Sequence, residues 1–448
     1  MSSFVRLLTQ RVPGLTNKRT LGVAAAFFAK AVGTGLAFLF SILLARLLGP
    51  AGTGVYFLAL TIVSIGATIA RLGLENAVLR FASVAHDQGD RLTLAALYQQ
   101  SMGLVFVAGL AVVLVIWGVV QFLPINGGKS VLLFMLLALI PVALIPLQAE
   151  FFKATGAPGT AIFVQVAILP IILVMGAAIF FWKGGASTQN IAVFYAISAV
   201  LSVLFSGAIW NHHKPGLWRE RGEFNTRVLL RTSLPLLWVA SMYLVMSWTD
   251  ILVLGAWTDS ATVGVYGVAT RVATLTAFIL IAVNSVVAPQ FAALYAQGSH
   301  NALARLAQRS TGWAFLAALP IILSLLLFPD WVLQFFGNKF LDGAAVLRIL
   351  SFGQLVSVAL GAVGYLLIMT GHERLMKNIT IMSALLNLIG NLILVPFYGA
   401  EGAAVSTAFS LAFMSLLSYI LVIRRLNINT LGYLFEGLLY CRNLKLLK

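Results

Sequence analysis

Apolar runs of about twenty residues or more follow one another along this chain with only short polar breaks between them. A helix needs about 20 apolar residues to cross a bilayer. Twelve such runs are present, at 21–45, 54–78, 101–123, 130–149, 160–182, 190–210, 232–256, 262–288, 311–328, 343–369, 377–396 and 402–423. The third, eighth and tenth have soft ends. All are longer and more continuous than the alternating segments of about ten residues that mark a membrane β-barrel. The expected fold is therefore all-α and polytopic, with about twelve transmembrane helices. Composition agrees: 60% of the 448 residues are hydrophobic and 9% charged, against about 25% charged in a soluble domain. A soluble enzyme and a DNA-binding domain are both excluded. The single cysteine, Cys441, allows neither an intramolecular disulfide framework nor a thiolate metal cluster.

An even number of spans puts both termini on one side, so the basic residues can be counted by side. Of the 29 Lys and Arg residues, 22 fall on the side of the termini and 5 on the other (Arg46, Lys129, Lys183, Lys339, Arg348), while Lys30 and Arg271 fall within spans. The positive-inside rule then places both termini in the cytoplasm. The net charge of +16 is mostly topology and contact with anionic membrane lipids, and no nucleic-acid partner is expected. The first 20 residues are basic and loosely amphipathic, with Phe4, Leu7, Leu8 and Val12 set against Arg6, Gln10 and Arg11. They suit a short helix on the inner leaflet. A cleaved signal peptide fits poorly, because the first apolar run is too long and lacks a small-residue cleavage site.

The two halves of the chain resemble each other. Gly54-Val55-Tyr56 opens a span that ends near Leu79-Arg80-Phe81, followed by Ala85 to Asp90. Gly264-Val265-Tyr266, 210 residues later, opens a span ending at Pro289-Gln290-Phe291, followed by Ala296-Gln297-Gly298-Ser299. Thr155-Gly156 and Thr370-Gly371 each close one span and precede another, at an offset of 215. Six spans per half make the halves parallel, related by an axis along the membrane normal, with the substrate path between them. The expected organisation is a basic cytoplasmic segment (1–20), an N-lobe of six helices (21–210), a cytoplasmic linker (211–231), a C-lobe of six helices (232–423) and a basic cytoplasmic tail (424–448).

Most enzymatic chemistry lacks its parts. No loop reaches the ~50 residues of a domain. Gly127-Gly128-Lys129-Ser130 resembles the tail of a phosphate-cradling loop, but Leu123 stands where the first glycine is needed. The histidines His86, His212, His213, His300 and His372 sit at loops or span ends without metal-ligand spacing. No serine lies in a Gly-x-Ser-x-Gly context. Neither a metal nor a cofactor is expected.

What remains is charge inside the membrane, where ionisable residues are costly and are functional candidates by default. Lys30 lies 11 residues after Arg19, about 16 Å along a helix and too deep to snorkel easily. With no acidic partner evident at its depth, it suits a water-filled cavity that attracts anions. Arg271 and Asp250 lie in the outer halves of spans eight and seven. A salt bridge between them is the structural alternative to lining a cavity, and Asp250 is also a candidate for ion or proton coupling. Arg71 and Glu75 are one turn apart on span two and can pair near the cytoplasmic mouth. Lys30 and Arg271, on different halves, would face each other across the path and suit a diphosphate. Pro141, Pro146, Pro170, Pro235 and Pro320 interrupt spans, and Gly33 and Gly35 loosen the first span beside Lys30; these are places to bend.

Longer motifs are then familiar. Leu44-Ala45-Arg46-Leu47-Leu48-Gly49-Pro50-Ala51-Gly52-Thr53-Gly54-Val55-Tyr56 is similar to the join of the first two spans in bacterial polysaccharide (oligosaccharide) flippases, and Gly73 to Phe81 resembles their second-span ending. Thr249 to Gly255, with Val263 to Tyr266 and Thr270-Arg271, resembles their seventh and eighth spans. Met369 to Glu373 and Pro396 to Ala404 complete a match running from about residue 20 to 425. Each motif is modest alone; together, in order, they are fairly specific for this family of the multidrug/oligosaccharidyl-lipid/polysaccharide exporter superfamily.

The resemblance implies two six-helix lobes in a V around a central cavity, in a bacterial inner membrane. It implies a polyprenyl-diphosphate-linked oligosaccharide as substrate, moved by alternating access from the inner to the outer leaflet for surface polysaccharide assembly. Basic cavity residues would hold the diphosphate, and Lys30 and Arg271 occupy suitable spans. A polysaccharide polymerase or glycosyltransferase is the implied protein partner. Three alternatives remain. A cation-coupled drug exporter of the same superfamily would want an acidic cavity. A membrane-embedded polymerase or transferase would want a longer outer loop than 329–342. A structural partner of a synthase would keep working after Lys30→Ala.

Overall fold

The computed structural model describes residues 17–122, 128–220 and 222–432. Most of the amphipathic segment expected over 1–20 lies outside the described residues, as do Leu123, Gly127 and the tail from 433 onwards with Cys441. No strand occurs among the described residues. The chain runs as α1 (Asn17–Ala70), α2 (Leu74–Asp87), α3 (Arg91–Phe122), α4 (Lys129–Leu136), α5 (Leu139–Ala154), α6 (Pro158–Val166), α7 (Ile168–Trp182) and α8 (Thr188–His213). After a linker come α9 (Thr226–Trp257), α10 (Ser260–Ala296), α11 (His300–Leu327), α12 (Pro329–Gln334), α13 (Ala344–Leu360), α14 (Val363–Met369) and α15 (Glu373–Leu426). Helices are forced here because a segment in lipid must satisfy its own N–H and C=O groups.

Among the described residues, nine helices are long and apolar enough to cross a membrane. Two of them, α1 and α15, have 54 residues each and bend sharply at a glycine. Gly49 has φ 64° and ψ −177°, a conformation closed to residues with a Cβ. Pro50 follows, where its missing N–H costs nothing at the start of a new helix. Gly399, at φ 52° and ψ −128°, bends α15 in the same way. Each bent helix therefore accommodates two spans, and with the 32-residue α9 the fold is consistent with twelve.

Several expected spans are broken where the sequence reads as continuous. The second stops at Arg71–Gly73, with Leu72 at φ 53° and Gly73 at φ 69°. The fourth breaks at Leu137–Ala138 and the fifth at Ala167, each three residues before Pro141 or Pro170. A proline has no N–H to give the preceding turn, and its ring crowds that turn's carbonyl. The tenth breaks between Leu360 and Val363. By contrast Pro146, Pro289 and Pro320 sit inside continuous helices.

The repeated motifs adopt repeated structure. Thr155 Oγ1 donates to the Phe151 carbonyl at 2.9 Å, and Thr370 Oγ1 donates to the Leu366 carbonyl at 2.8 Å. The following glycines, Gly156 and Gly371, have φ 81° and 82°. The ends of α2 and α10 also match: Gly89 N–H donates to the His86 carbonyl at 3.1 Å, and Gly298 N–H to the Tyr295 carbonyl at 3.0 Å. Both are left-handed helix caps that satisfy terminal carbonyls. At the start of α10, Asp259 Oδ1 accepts the Thr262 N–H at 2.9 Å. Hydrogen bonds from the Thr262 side chain and backbone hold the Asp259 carboxyl below the usual carboxylate range.

By contacts the chain forms two compact units, one of residues up to Leu43 and Ile62–Ser241, the other of Leu44–Thr61 and Met242 onwards. In the first unit, Tyr98 stacks on Trp210 at 5.2 Å, with Phe151 and Phe152 edge-on and tilted around them. Its linker is strapped down: Arg91 pairs with Glu220 at 2.7 Å and Gln99 Nε2 donates to the Trp218 and Glu220 carbonyls. In the second unit Tyr56, Phe57 and Tyr266 are fully buried. Large apolar side chains such as Leu114, Leu204 and Phe409 are exposed, as expected when the surrounding solvent is lipid.

Candidate functional site

In the second unit a polar cluster centres on Asp250, near the end of α9 and 5% exposed. Its Oδ2 accepts hydrogen bonds from the Tyr266 hydroxyl at 2.5 Å and the Thr407 hydroxyl at 2.6 Å. Its Oδ1 accepts from Asn391 Nδ2 at 2.7 Å and from Asn387 Nδ2 at 3.3 Å. Asn387 Nδ2 also reaches Thr407 Oγ1 at 3.0 Å, and Asn391 Nδ2 the Asn387 carbonyl at 2.9 Å. Three helices supply these groups. Tyr266 comes from the first turns of α10, Asn387 and Asn391 lie one turn apart on α15, and Thr407 follows the Gly399 bend of the same helix. That bend lets one continuous helix present polar groups to Asp250 from both of its arms.

Burying an unpaired carboxylate costs on the order of several kcal/mol unless it is protonated or meets a cation. Four donors lower that cost without removing the charge. The amide oxygens of both Asn387 and Asn391 are buried and accept no hydrogen bond. The cluster is thus built from oxygens and amides, with one acidic group. Hard cations favour such oxygen donors. Among the described residues no three His, Cys, Asp or Glu side chains gather, so this is not a site for a thiolate- or imidazole-bound metal.

The salt bridge between Asp250 and Arg271 is not formed. The carboxylate is already filled by neutral donors, and Arg271 turns elsewhere: its guanidinium lies over the Phe57 ring, 3.5 Å from the centroid, and Nη1 donates to the Gly267 carbonyl at 3.1 Å. Gly267 makes room for this stack, because a Cβ there would stand 2.3 Å from Phe57 Cδ2. Lys30 is exposed on α1, in the other unit, and no ion pair holds it among the described residues. Arg71 Nε lies 2.8 Å from Glu75 Oε1, and Arg71 Nη2 donates to Thr68 Oγ1 at 2.7 Å. The pair bridges the break between α1 and α2, with Glu75 in the first turn of α2, where the helix dipole favours an anion.

Tyr266, Asn387, Asn391 and Thr407 carry no charge, so intramembrane charge in the sequence does not point to them. A usable signal was present: two asparagines at i and i+4 within an apolar span put two amides on one face.

The family pattern for polysaccharide biosynthesis proteins matches residues 21–295, and that for MatE proteins matches residues 235–393. The probable low-salt glycan biosynthesis flippase Agl15 of Haloferax volcanii is 30% identical over 167 residues, covering 37% of this chain and 35% of that protein. The uncharacterized membrane protein MJ1068 of Methanocaldococcus jannaschii is 26% identical over 169 residues, 37% of this chain and 33% of that one. The matched stretch thus spans only about a third of the length of either relative. Among solved structures, an inward-facing multidrug resistance MATE family transporter of the MOP superfamily has a TM-score of 0.74 at 15% identity, covering 88% of this chain and 95% of that one. The lipid II flippase MurJ, in an inward closed conformation, has a TM-score of 0.64 at 14% identity, covering 93% and 91%. The resemblance seen in the motifs is borne out, and so is the all-α polytopic architecture: this chain belongs to the polysaccharide biosynthesis protein family and has the fold shared by MATE transporters and MurJ.

Proposed function

We propose that this protein is a flippase. It moves a polyprenyl-diphosphate-linked oligosaccharide from the inner to the outer leaflet of the plasma membrane by alternating access, for surface polysaccharide assembly, with both termini cytoplasmic and no covalent chemistry. The observation that carries this is the family match over residues 21–295; the partial likeness to a probable glycan biosynthesis flippase supports it. In this account Lys30 and Arg271 bind the diphosphate. Stacking on Phe57 holds the Arg271 guanidinium in one plane, and it still has N–H donors beyond the one given to Gly267. Asp250 is the coupling group. Turning the two amides would aim the oxygens of Asn387 and Asn391 at its carboxylate, giving one negative charge and several neutral oxygens. That set suits a proton or a monovalent cation.

A second reading, a cation-coupled drug exporter, is favoured by the MatE match over residues 235–393 and by the buried carboxylate. Cells lacking the protein separate the two. The flippase account expects lipid-linked oligosaccharide to accumulate on the cytoplasmic leaflet and surface polysaccharide to fall, both restored by the gene on a plasmid. Unchanged surface polysaccharide with new sensitivity to cationic dyes would instead establish the exporter.

A further inference from the structure

On the side expected to face away from the termini, a pocket of about 370 Å³ lies between the end of the first arm of α1 and the loop that precedes α13. Both walls belong to one contact unit. Arg46 and Lys339 line it, with Gly49, Asn338, Phe336 and Phe340. No acidic side chain is among the lining residues, and among the described residues no ion pair engages either cation. Two like charges therefore share one concavity without a counter-charge.

The two walls of the pocket are tied together. Arg46 Nε donates to the Phe335 carbonyl at 2.7 Å, which ties the α1 end to the opposite wall and uses one of the five guanidinium N–H donors. Phe336 and Phe340 are each 1% exposed and pack behind the pocket, holding the loop that carries Lys339 in place. Nothing lies within 4 Å of the position a Cβ would take on Gly49, so the pocket is open there. Just outside, Trp331 and Phe335 are exposed and meet edge to face at 5.2 Å. Aromatic side chains of this kind collect at headgroup depth.

We propose that this pocket binds the phosphate group of a membrane lipid, gripped by Arg46 and Lys339. A phosphate supplies the missing negative charge, and a guanidinium with an ammonium is a common grip for its oxygens. Inorganic phosphate shares that chemistry. The exposed aromatic pair at the mouth, Trp331 and Phe335, favours the lipid, because a free ion gains nothing from it. The proposal does not depend on what the protein transports.

Native mass spectrometry of the purified full-length protein in detergent tests it, with dioleoylphosphatidylglycerol as probe, dioleoylglycerol as its phosphate-free counterpart and inorganic phosphate in excess as competitor. The expected result is retention of phosphatidylglycerol but not dioleoylglycerol, about tenfold weaker in Lys339→Gln, little changed in Lys183→Gln, and not displaced by inorganic phosphate. Arg46→Gln should be weaker still, but it also removes the bond to Phe335, so Lys339→Gln is the decisive variant. Equal retention by wild type and Lys339→Gln, or an equal loss in Lys183→Gln, overturns the site. Displacement by inorganic phosphate overturns the assignment to lipid.

Discussion

Asp250 sits where four hydrogen-bond donors converge and no cation follows. A purely structural carboxylate in a membrane helix would be expected to pair with a cation, yet Arg271 lies over Phe57 instead. The carboxylate is thus met by neutral donors alone, and in the proposed function the mobile charge is its missing counter-charge. Asp250→Asn preserves shape and most of the hydrogen bonds while removing that charge. We expect it to accumulate to normal levels but to lower transport about tenfold or more, the scale of a lost charged hydrogen-bonded interaction. Normal transport by this variant at equal protein level would remove Asp250 from the mechanism. The sequence made the charged residues legible, because any Asp, Lys or Arg stands out in an apolar run. It did not make their surroundings legible. Asn387, Asn391 and Thr407 are separated from Asp250 by 137, 141 and 157 positions, and no local periodicity encodes a contact across that distance.

At the scale of elements, the closest approach in the second unit joins the two halves of the repeat. A Cβ on Gly54 would stand 1.7 Å from the Ser260 carbonyl oxygen, and one on Gly264 would stand 2.1 Å from the Pro50 carbonyl oxygen. The start of the second arm of α1 thus crosses the start of α10 backbone to backbone, and the Gly-Val-Tyr motif is needed twice because each copy must yield space to the other. Gly54→Ala should therefore lower the thermal unfolding temperature in detergent, at a cost of about 1–3 kcal/mol. Gly35→Ala, where nothing stands within 4 Å, should raise it slightly, since alanine is the better helix former by about 1 kcal/mol. If the two variants melted alike, the crossing would not be a close one. The existence of nearly every helix could be read from hydropathy, and two of the breaks from Pro141 and Pro170. The break at Gly361 could not, because the sequence there stays apolar, and at Leu72–Gly73 the spacing of Arg71 and Glu75 reads equally well as a pair on one continuous helix. At Gly361 the reason lies in tertiary packing: Thr311 fills the space a side chain would need, and Thr430 Oγ1 donates to the Leu360 carbonyl at 3.1 Å.

At the scale of the molecule, matching caps recur in both halves, but no carboxylate stands at the first-half position that matches Asp250. Phe40 stands 210 positions before Asp250, and the buried carboxylate of the first half, Glu150, is paired with Lys153 at 2.6 Å. The strapped linker, held by Arg91 and Gln99, belongs with the first unit instead of hanging free between the halves. In the proposed function, Lys30 and Arg271, one from each half, are the cations that would grip an anionic amphiphile. Transport itself is the direct test. Proteoliposomes would carry a fluorescent polyprenyl-diphosphate oligosaccharide in both leaflets, with a quenching reagent that acts only on the outer one. The account predicts that wild-type protein exposes the inner-leaflet pool, while Asp250→Asn and the Lys30→Ala/Arg271→Ala pair, at equal incorporation, leave it protected. Protection of the inner pool by wild type to the same extent as in protein-free liposomes would contradict it.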